Sequence, residues 1–433
     1  MANQYPEGFS YHNGRAYIGN SALDDVIASH GTPLYVLDAK TITKNCKQFL
    51  DPLTQLYSNS RVLYACKANL TVGLAQYLYR LGMSFDVSSG GELYTLIKAG
   101  VDSQSIYFHG NNKTLPELEL ALDHNVTLIV DNFQELKHII HVNKTQKSVR
   151  VMLRIKPEID AHTHDYIKTG KLDSKFGIER NDFKNFFTLI SEYSWFDFVG
   201  IHGHIGSQIF DTKPYFEFLD TMMPFLKQLH DEFGITVKEF NCGGGMGIFY
   251  TKEDTPFNIE SFLREFTQYF IQKCDELFLT RPVLLFEPGR SIIGPAGITL
   301  YTVGAVKHIP NVKSYIFVDG GMADNIRPLL YDSKYVFDHV NQKKNTTKGV
   351  YSIAGKFCES GDILAENIEL SEVVAGDHLI VFSTGAYNYS MASNYNRNAR
   401  PAMVLISEDK IVPLLKRETY ADLIRLDCEI EGK

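Results

Sequence analysis

"RVLYACKANLTVGLAQYLYRLGMSFDV", residues 61–87, holds an apolar run, a lysine at its end, an amphipathic stretch and a second apolar run. The runs at 61–66 and 83–87 are short and β-rich, whereas 71–82 spaces its apolar residues as a helix does and stops at Gly82. Strand, helix, strand is the unit from which parallel sheets are built. Strand-like runs recur in "SIYFH" (105–109), "VTLIV" (126–130), "RVMLRI" (150–155), "FVGIHGHI" (198–205), "VKEFNCGGG" (237–245) and "VLLFE" (283–287). Helical stretches lie between several of them, among them 90–100, 115–125 and 181–193. The first four units recur about every 22 residues and the later ones are longer, as βα units with loop insertions are. Eight units predict a closed (β/α)8 barrel of the TIM type.

Past Glu287 the texture changes. "ITLYTVGAVKHI" (298–309), "SYIFVDGG" (314–321), "DHLIVFSTGAY" (377–387) and "PAMVLISEDKIVPLL" (401–415) are strand-like with turn signals and little helical periodicity. A β-rich second domain is expected from 291–433. Residues 1–31, with a hairpin-like "GRAYIGN" at 14–20, are expected to add strands to it, which makes the barrel an insert over 32–290.

The composition narrows the function classes. In 433 residues with 44% apolar content the formal charge is only −8 and no block of Lys or Arg stands out, so no nucleic-acid footprint is indicated. No uncharged apolar stretch reaches about 18 residues, which speaks against a membrane span. The first residues lack the charged start and apolar core of a signal peptide, so a cytoplasmic location is expected. Six cysteines without a CxxC pair argue against a disulfide framework and a structural zinc site.

Barrels of this kind collect their chemistry at the carboxyl ends of the strands. Read in order, those ends carry Lys67, Asp86, His109, Asp131, Arg154, His204, Gly243 to Gly245 and Glu287. A lysine near apolar walls has a depressed pKa and can form a Schiff base with an aldehyde, of which pyridoxal phosphate is a common biological example. The bland alternative is a lysine snorkelling to the barrel mouth. "GGGMG" (243–247) and "EPGR" (287–290) put glycines and an arginine where barrels build phosphate sites, although tight turns also explain glycine clusters. Glu287 at a pyridine nitrogen would keep that nitrogen protonated, which favours a carbanion at Cα and hence decarboxylation. His202 and His204, two apart, would share one face of a strand. They fit a metal pair, for which the other strand ends show no cluster of further His and Asp ligands, or, as preferred here, an imidazole stacked on a cofactor ring, with a packed histidine as the plain alternative for His202.

Together these residues resemble the pyridoxal-phosphate-dependent group IV decarboxylases, with their alanine-racemase-like fold, over nearly the whole chain. "YACKAN" is similar to that family's cofactor-lysine motif, which implies that Lys67 carries pyridoxal 5'-phosphate. "HGHIGSQ" implies that His204 stacks on the ring with Ser207 near the phosphate. Gly244 and Gly245 would bind the phosphate, Glu287 would face the pyridine nitrogen, and Asp86 and Gly289 would complete the cofactor site. Arg290 would serve phosphate or substrate carboxylate. In the β-rich domain, "NIRPLLY" implies that Arg327 and Tyr331 hold a distal carboxylate, a task suited to a planar guanidinium. "CESGD" implies that Cys358 donates a proton and Glu359 binds a distal ammonium in the neighbouring subunit's site. Tyr387 would lie near phosphate and substrate.

The resemblance therefore implies decarboxylation of meso-2,6-diaminopimelate to L-lysine and CO2, the last step of lysine biosynthesis. It also implies a homodimer with shared active sites and no metal, nucleic-acid or membrane partner. One residue departs from the pattern: Lys356 stands where proline is expected, two before Cys358. Two other readings are a decarboxylase of ornithine, lysine or arginine, and a non-catalytic cofactor-binding regulator. The polar stretch 160–177 is expected to act as a lid.

Overall fold

The computed structural model describes residues 5–157, 175–343, 347–408 and 410–430. The chain divides into two compact units, one of residues 43–248 and 255–292, the other of 1–42, 249–254 and 293–433. The expected lid falls largely on 158–174, outside the described residues.

The first unit is a closed barrel of eight parallel strands: Ser60–Ala65, Ser84–Val87, Ile106–Phe108, Thr127–Val130, Val149–Arg154, Phe196–His202, Glu239–Asn241 and Val283–Phe286. Closure comes from the last strand pairing with the first, Leu284 beside Ser60 and Phe286 beside Val62. Several strands are buried along their whole length, as sheets covered on both faces by helices must be. The helices begin where the sequence offers a cap. Thr71 accepts from the Leu74 N–H, Ser89 from Glu92 and Asn132 from Glu135, and Thr114 and Glu117 form a reciprocal capping box.

Leu63, Tyr107, Ile129, Met152, Val199 and Leu285 fill the middle of the barrel. Towards the strands' amino ends, Glu239 receives Arg150 at 2.6 Å and the Tyr107 hydroxyl at 3.0 Å. A polar plug thus closes one end and leaves the carboxyl ends for chemistry.

The second unit contains a nine-stranded sheet and a separate three-stranded sheet. The expected amino-terminal hairpin forms between Phe9–His12 and Arg15–Ile18. Asn13 and Gly14 both take positive φ at its turn, the geometry that twists with a two-residue hairpin. Its strands belong to the three-stranded sheet, and Ala16 and Ile18 enter the same core as Val36, Ile298 and Val404. The strand Leu34–Asp38, beyond the expected boundary at 32, pairs with Gly297–Ile309 and Ala402–Ser407 in the large sheet.

Candidate active site

The barrel mouth gathers the charged strand ends into one cluster. Lys67 sits on a turn of 3-10 helix directly after the first strand, its Nζ 3.8 Å from Asp86 Oδ2. Its side chain is 50% exposed. The apolar enclosure expected for this amine is therefore replaced by an acidic neighbour, because the 3-10 turn carries Lys67 out of the strand.

Asp86 is 1% exposed, and neither of its oxygens has a hydrogen-bond partner among the described residues. Burial pushes its carboxyl up against the pull of His109 and Lys67. Glu287 behaves in the opposite way. His109 Nε2 lies 2.8 Å from one oxygen, His202 Nε2 lies 3.1 Å from the other, and the Asn241 amide donates to the first at 2.7 Å. Burial raises Glu287, but the two imidazoles outweigh it and hold the carboxyl well below its usual range. Negative charge therefore settles on Glu287. His202 is pushed down to about 3 by burial despite Glu287, so it donates as a neutral ring.

His202 ends its strand and His204 lies beyond it, so the expectation that one strand face presents both fails. Gly203 intervenes, packed so closely on Phe218 that a Cβ would overlap that ring. The two rings serve different partners: the Gly244 N–H approaches His204 Nδ1 at 3.3 Å. Burial and the Lys67 charge hold His204 well below the usual imidazole range, which suits a ring whose Nδ1 accepts. His109, His202 and Glu287 bring potential ligand atoms within 4.8 Å of one another, but both Nε2 atoms are engaged with the carboxylate.

The glycine loop is stitched to its neighbours. The Glu287 N–H donates to the Gly243 carbonyl and the Ile209 N–H to that of Gly245, both within 2.9 Å. A Cβ on Gly244 would run into the Glu287 carbonyl, and one on Gly245, at φ +104, into that of Gly206. Beside it Arg290 Nη2 donates to Ser207 Oγ at 3.0 Å. Gly289 lets the loop 287–290 approach Ala65, whose Cβ would stand 2.9 Å from an added methyl. A backbone-lined cradle, a neighbouring arginine and serine, a lysine amine and a buried anion suit a phosphorylated aldehyde with a basic ring nitrogen. Asp131 and Arg154 pair with each other at 3.8 Å, and Arg154 lies over the Phe176 ring.

The second unit builds its own cation site. Arg327 opens the short helix Arg327–Tyr331, which puts Tyr331 one turn on and on the same side. Its guanidinium lies 5.1 Å from the Tyr331 ring, 5.5 Å from Tyr387 and 5.7 Å from Tyr250. The arginine is 7% exposed, and its Nε has no hydrogen-bond partner among the described residues. A buried, aromatic-flanked guanidinium with an unused donor is suited to an anion. Tyr387 holds φ +61, a backbone state costly for an aromatic residue. Cys358 and Glu359 stand exposed on a loop of the same unit.

The pyridoxal-binding domain of the pyridoxal-dependent decarboxylases matches residues 39–294. Diaminopimelate decarboxylase of Bacillus subtilis is 42% identical over 419 residues, covering 96% of this chain and 95% of its own length. The enzyme of that name from Synechocystis is also 42% identical, over 427 residues, with 96% and 91% covered. The crystal structure of diaminopimelate decarboxylase from M. jannaschii with L-lysine superposes at a TM-score of 0.92, with 34% identity over 98% of each chain. The chain belongs to the diaminopimelate decarboxylase family.

Within this family fold, the barrel unit brings together Lys67 and Asp86, His204 and Gly244, and Ser207 and Arg290, with Glu287 reached from Asp86 through His109. The β-rich unit brings together Arg327, Tyr331 and Tyr387. The sequence placed His109 among the strand ends without a specific role, offered His202 as a stacking or metal-binding ring, and gave Asn241 no role at all. His109 and Asn241 carried the available signal, each a polar residue closing an apolar run. Tyr250 gave none, because it follows the seventh barrel strand in sequence yet belongs to the β-rich unit of this decarboxylase.

Proposed function

We propose that this chain decarboxylates meso-2,6-diaminopimelate to L-lysine and CO2 with pyridoxal phosphate held in the barrel. The observation that carries the reading is Glu287, a buried carboxylate kept ionised by two imidazoles and an amide. When bound, the cofactor supplies the electron sink for the pair left at Cα by loss of CO2. Glu287 would keep a proton on the ring nitrogen and so set the depth of that sink. The Lys67 amine, with Asp86 beside it, would hold the cofactor through its aldehyde. His204, whose Nδ1 accepts from the Gly244 N–H, would pack against the cofactor ring. Ser207 and Arg290, together with the Gly244 and Gly245 backbone, would take the phosphate, while Gly289 lets the chain leading to Arg290 pack on Ala65 and Ala68.

Arg327 and Tyr331, with Tyr387, bind the distal carboxylate, which ornithine, lysine and arginine lack. Cys358 delivers a proton to Cα and Glu359 binds the distal ammonium, both in the neighbouring subunit's site, so the working form is a homodimer. Among the described residues no helix is long and apolar enough to cross a membrane. Unpaired cysteines, four of them buried, suit the reducing cytoplasm we assign.

The test is CO2 release from meso-diaminopimelate beside L-lysine, L-ornithine and L-arginine, with pyridoxal phosphate and a Lys67→Ala control. Turnover of the first substrate alone, lost in the control, is expected. Turnover of ornithine or arginine instead overturns the roles of Arg327 and Tyr331. For the dimer, Lys67→Ala and Cys358→Ala chains, each inactive alone, should regain activity when mixed; no regain would refute shared sites.

A further inference from the structure

Asp362 follows Cys358 and Glu359 on one loop, yet it is only 3% exposed while they face solvent. Its two oxygens accept from different stretches of chain: the Met322 N–H donates to Oδ1 at 2.7 Å, and the Phe357 N–H to Oδ2 at 2.9 Å. Met322 belongs to the turn that leads to Arg327, and Phe357 immediately precedes Cys358. Two glycines make room for the carboxylate. A Cβ on Gly321 would stand 2.5 Å from Oδ1, and one on Gly355 would overlap Oδ2. A second tie lies alongside, the Lys356 N–H donating to the Gly320 carbonyl at 3.0 Å. The proline expected at 356 has no N–H to give, so the lysine adds a bond that the pattern residue forgoes. The loop is held further by the Cys358 N–H, which donates to Asn396 Oδ1 at 3.0 Å.

We propose that Asp362 is a positioning residue: its buried carboxylate latches the Cys358–Glu359 loop to the Gly320–Met322 turn and so sets where the thiol and the second carboxylate are presented. The proposal rests on the reading that those two residues act on substrate. Asp362 itself touches neither cofactor nor substrate. It acts because each of its two oxygens meets a different part-buried N–H, whereas an amide would turn its own NH2 on one of those donors.

The test uses the holoenzyme in a Cys428→Ser background, which leaves Cys358 as the exposed thiol. Asp362→Asn should lower kcat roughly ten- to a hundredfold through misplacement of the loop, with the absorbance of the bound cofactor unchanged. It should also change the rate at which iodoacetamide alkylates Cys358, a readout that a general loss of stability in folded protein would not move. Gly355→Ala displaces the same carboxylate without touching its charge, and should reproduce both effects if Asp362→Asn does not fold. Wild-type kcat and alkylation rate in the folded variants overturn the latch. A Cys358→Ala chain with full activity instead overturns the assignment of the thiol; the latch then stands or falls on the alkylation rate alone.

Discussion

His109 and Glu287 share a hydrogen bond of 2.8 Å in the barrel mouth, and the same Nε2 lies 3.7 Å from Asp86. One imidazole thus separates two buried carboxyls driven in opposite directions, Asp86 towards its protonated form and Glu287 towards its anion. Replacing Glu287 with Gln keeps the shape and removes the charge. Turnover should fall roughly 10²-fold, on the scale of losing one preorganised electrostatic partner, with cofactor still bound. Single-turnover CO2 release checks this, and an unchanged kcat would remove Glu287 from the mechanism.

His202 gives the cofactor-free protein an acid sensitivity. Its folded pKa, pushed down to about 3 from 6.5, means that the unfolded chain takes up a proton the folded ring refuses. The stability it contributes is fully present above pH 6.5 and drains away as pH falls towards 3, at a slope approaching about 1.4 kcal/mol per pH unit. Asp86, with its raised pKa, acts in the opposite sense above 3.8. Urea unfolding at about pH 6.5 and about pH 5 should show a shallower slope in His202→Gln than in wild type.

Asp86 is costly without cofactor, since its buried oxygens lack hydrogen-bond donors among the described residues. Asp86→Asn should stabilise the cofactor-free protein by about 1–3 kcal/mol, the scale of a buried polar group left without a hydrogen bond, and weaken cofactor binding. Melting with and without pyridoxal phosphate should show a smaller gap between the two forms. A larger gap would contradict the argument.

Arg327→Lys retains the charge but loses the planar fork. KM for meso-diaminopimelate should rise roughly 10- to 100-fold, the equivalent of ~1.5–3 kcal/mol for a charged hydrogen bond, with cofactor absorbance intact. Steady-state kinetics decide it.

Gly244→Ala tests the cradle. The added methyl meets the Glu287 carbonyl, a backbone atom that cannot swing aside. A loss of about 1–3 kcal/mol in stability is expected from thermal unfolding, as for other overpacked sites, and weaker cofactor retention with it.

Much of the barrel was legible because each βα unit is written locally: an apolar run, a cap such as Thr71 or Ser89, a helical period and a glycine stop. The strand-end residues Lys67, Asp86 and Glu287 were legible for the same reason. What the sequence hides is pairing at a distance. His109 and Glu287 follow the third and eighth barrel strands and meet only across the closed barrel, and nothing local to "HGH" says that the strand stops at His202. Lys356 departs from the pattern residue, and only the folded loop shows its N–H donating to the Gly320 carbonyl.

The six residues 249–254 are counted with the β-rich unit although the barrel chain encloses them on both sides. Tyr250, one of the rings around Arg327, therefore travels with the barrel in any recombination between relatives that cuts the gene before the first strand and after the last. A hybrid assembled that way would inherit Arg327 from one parent and part of its aromatic surround from the other. If Arg327 binds the distal carboxylate as proposed, substrate preference in such hybrids should follow whether residues 249–254 were exchanged along with the β-rich segments, which would make the heritable unit of specificity discontinuous.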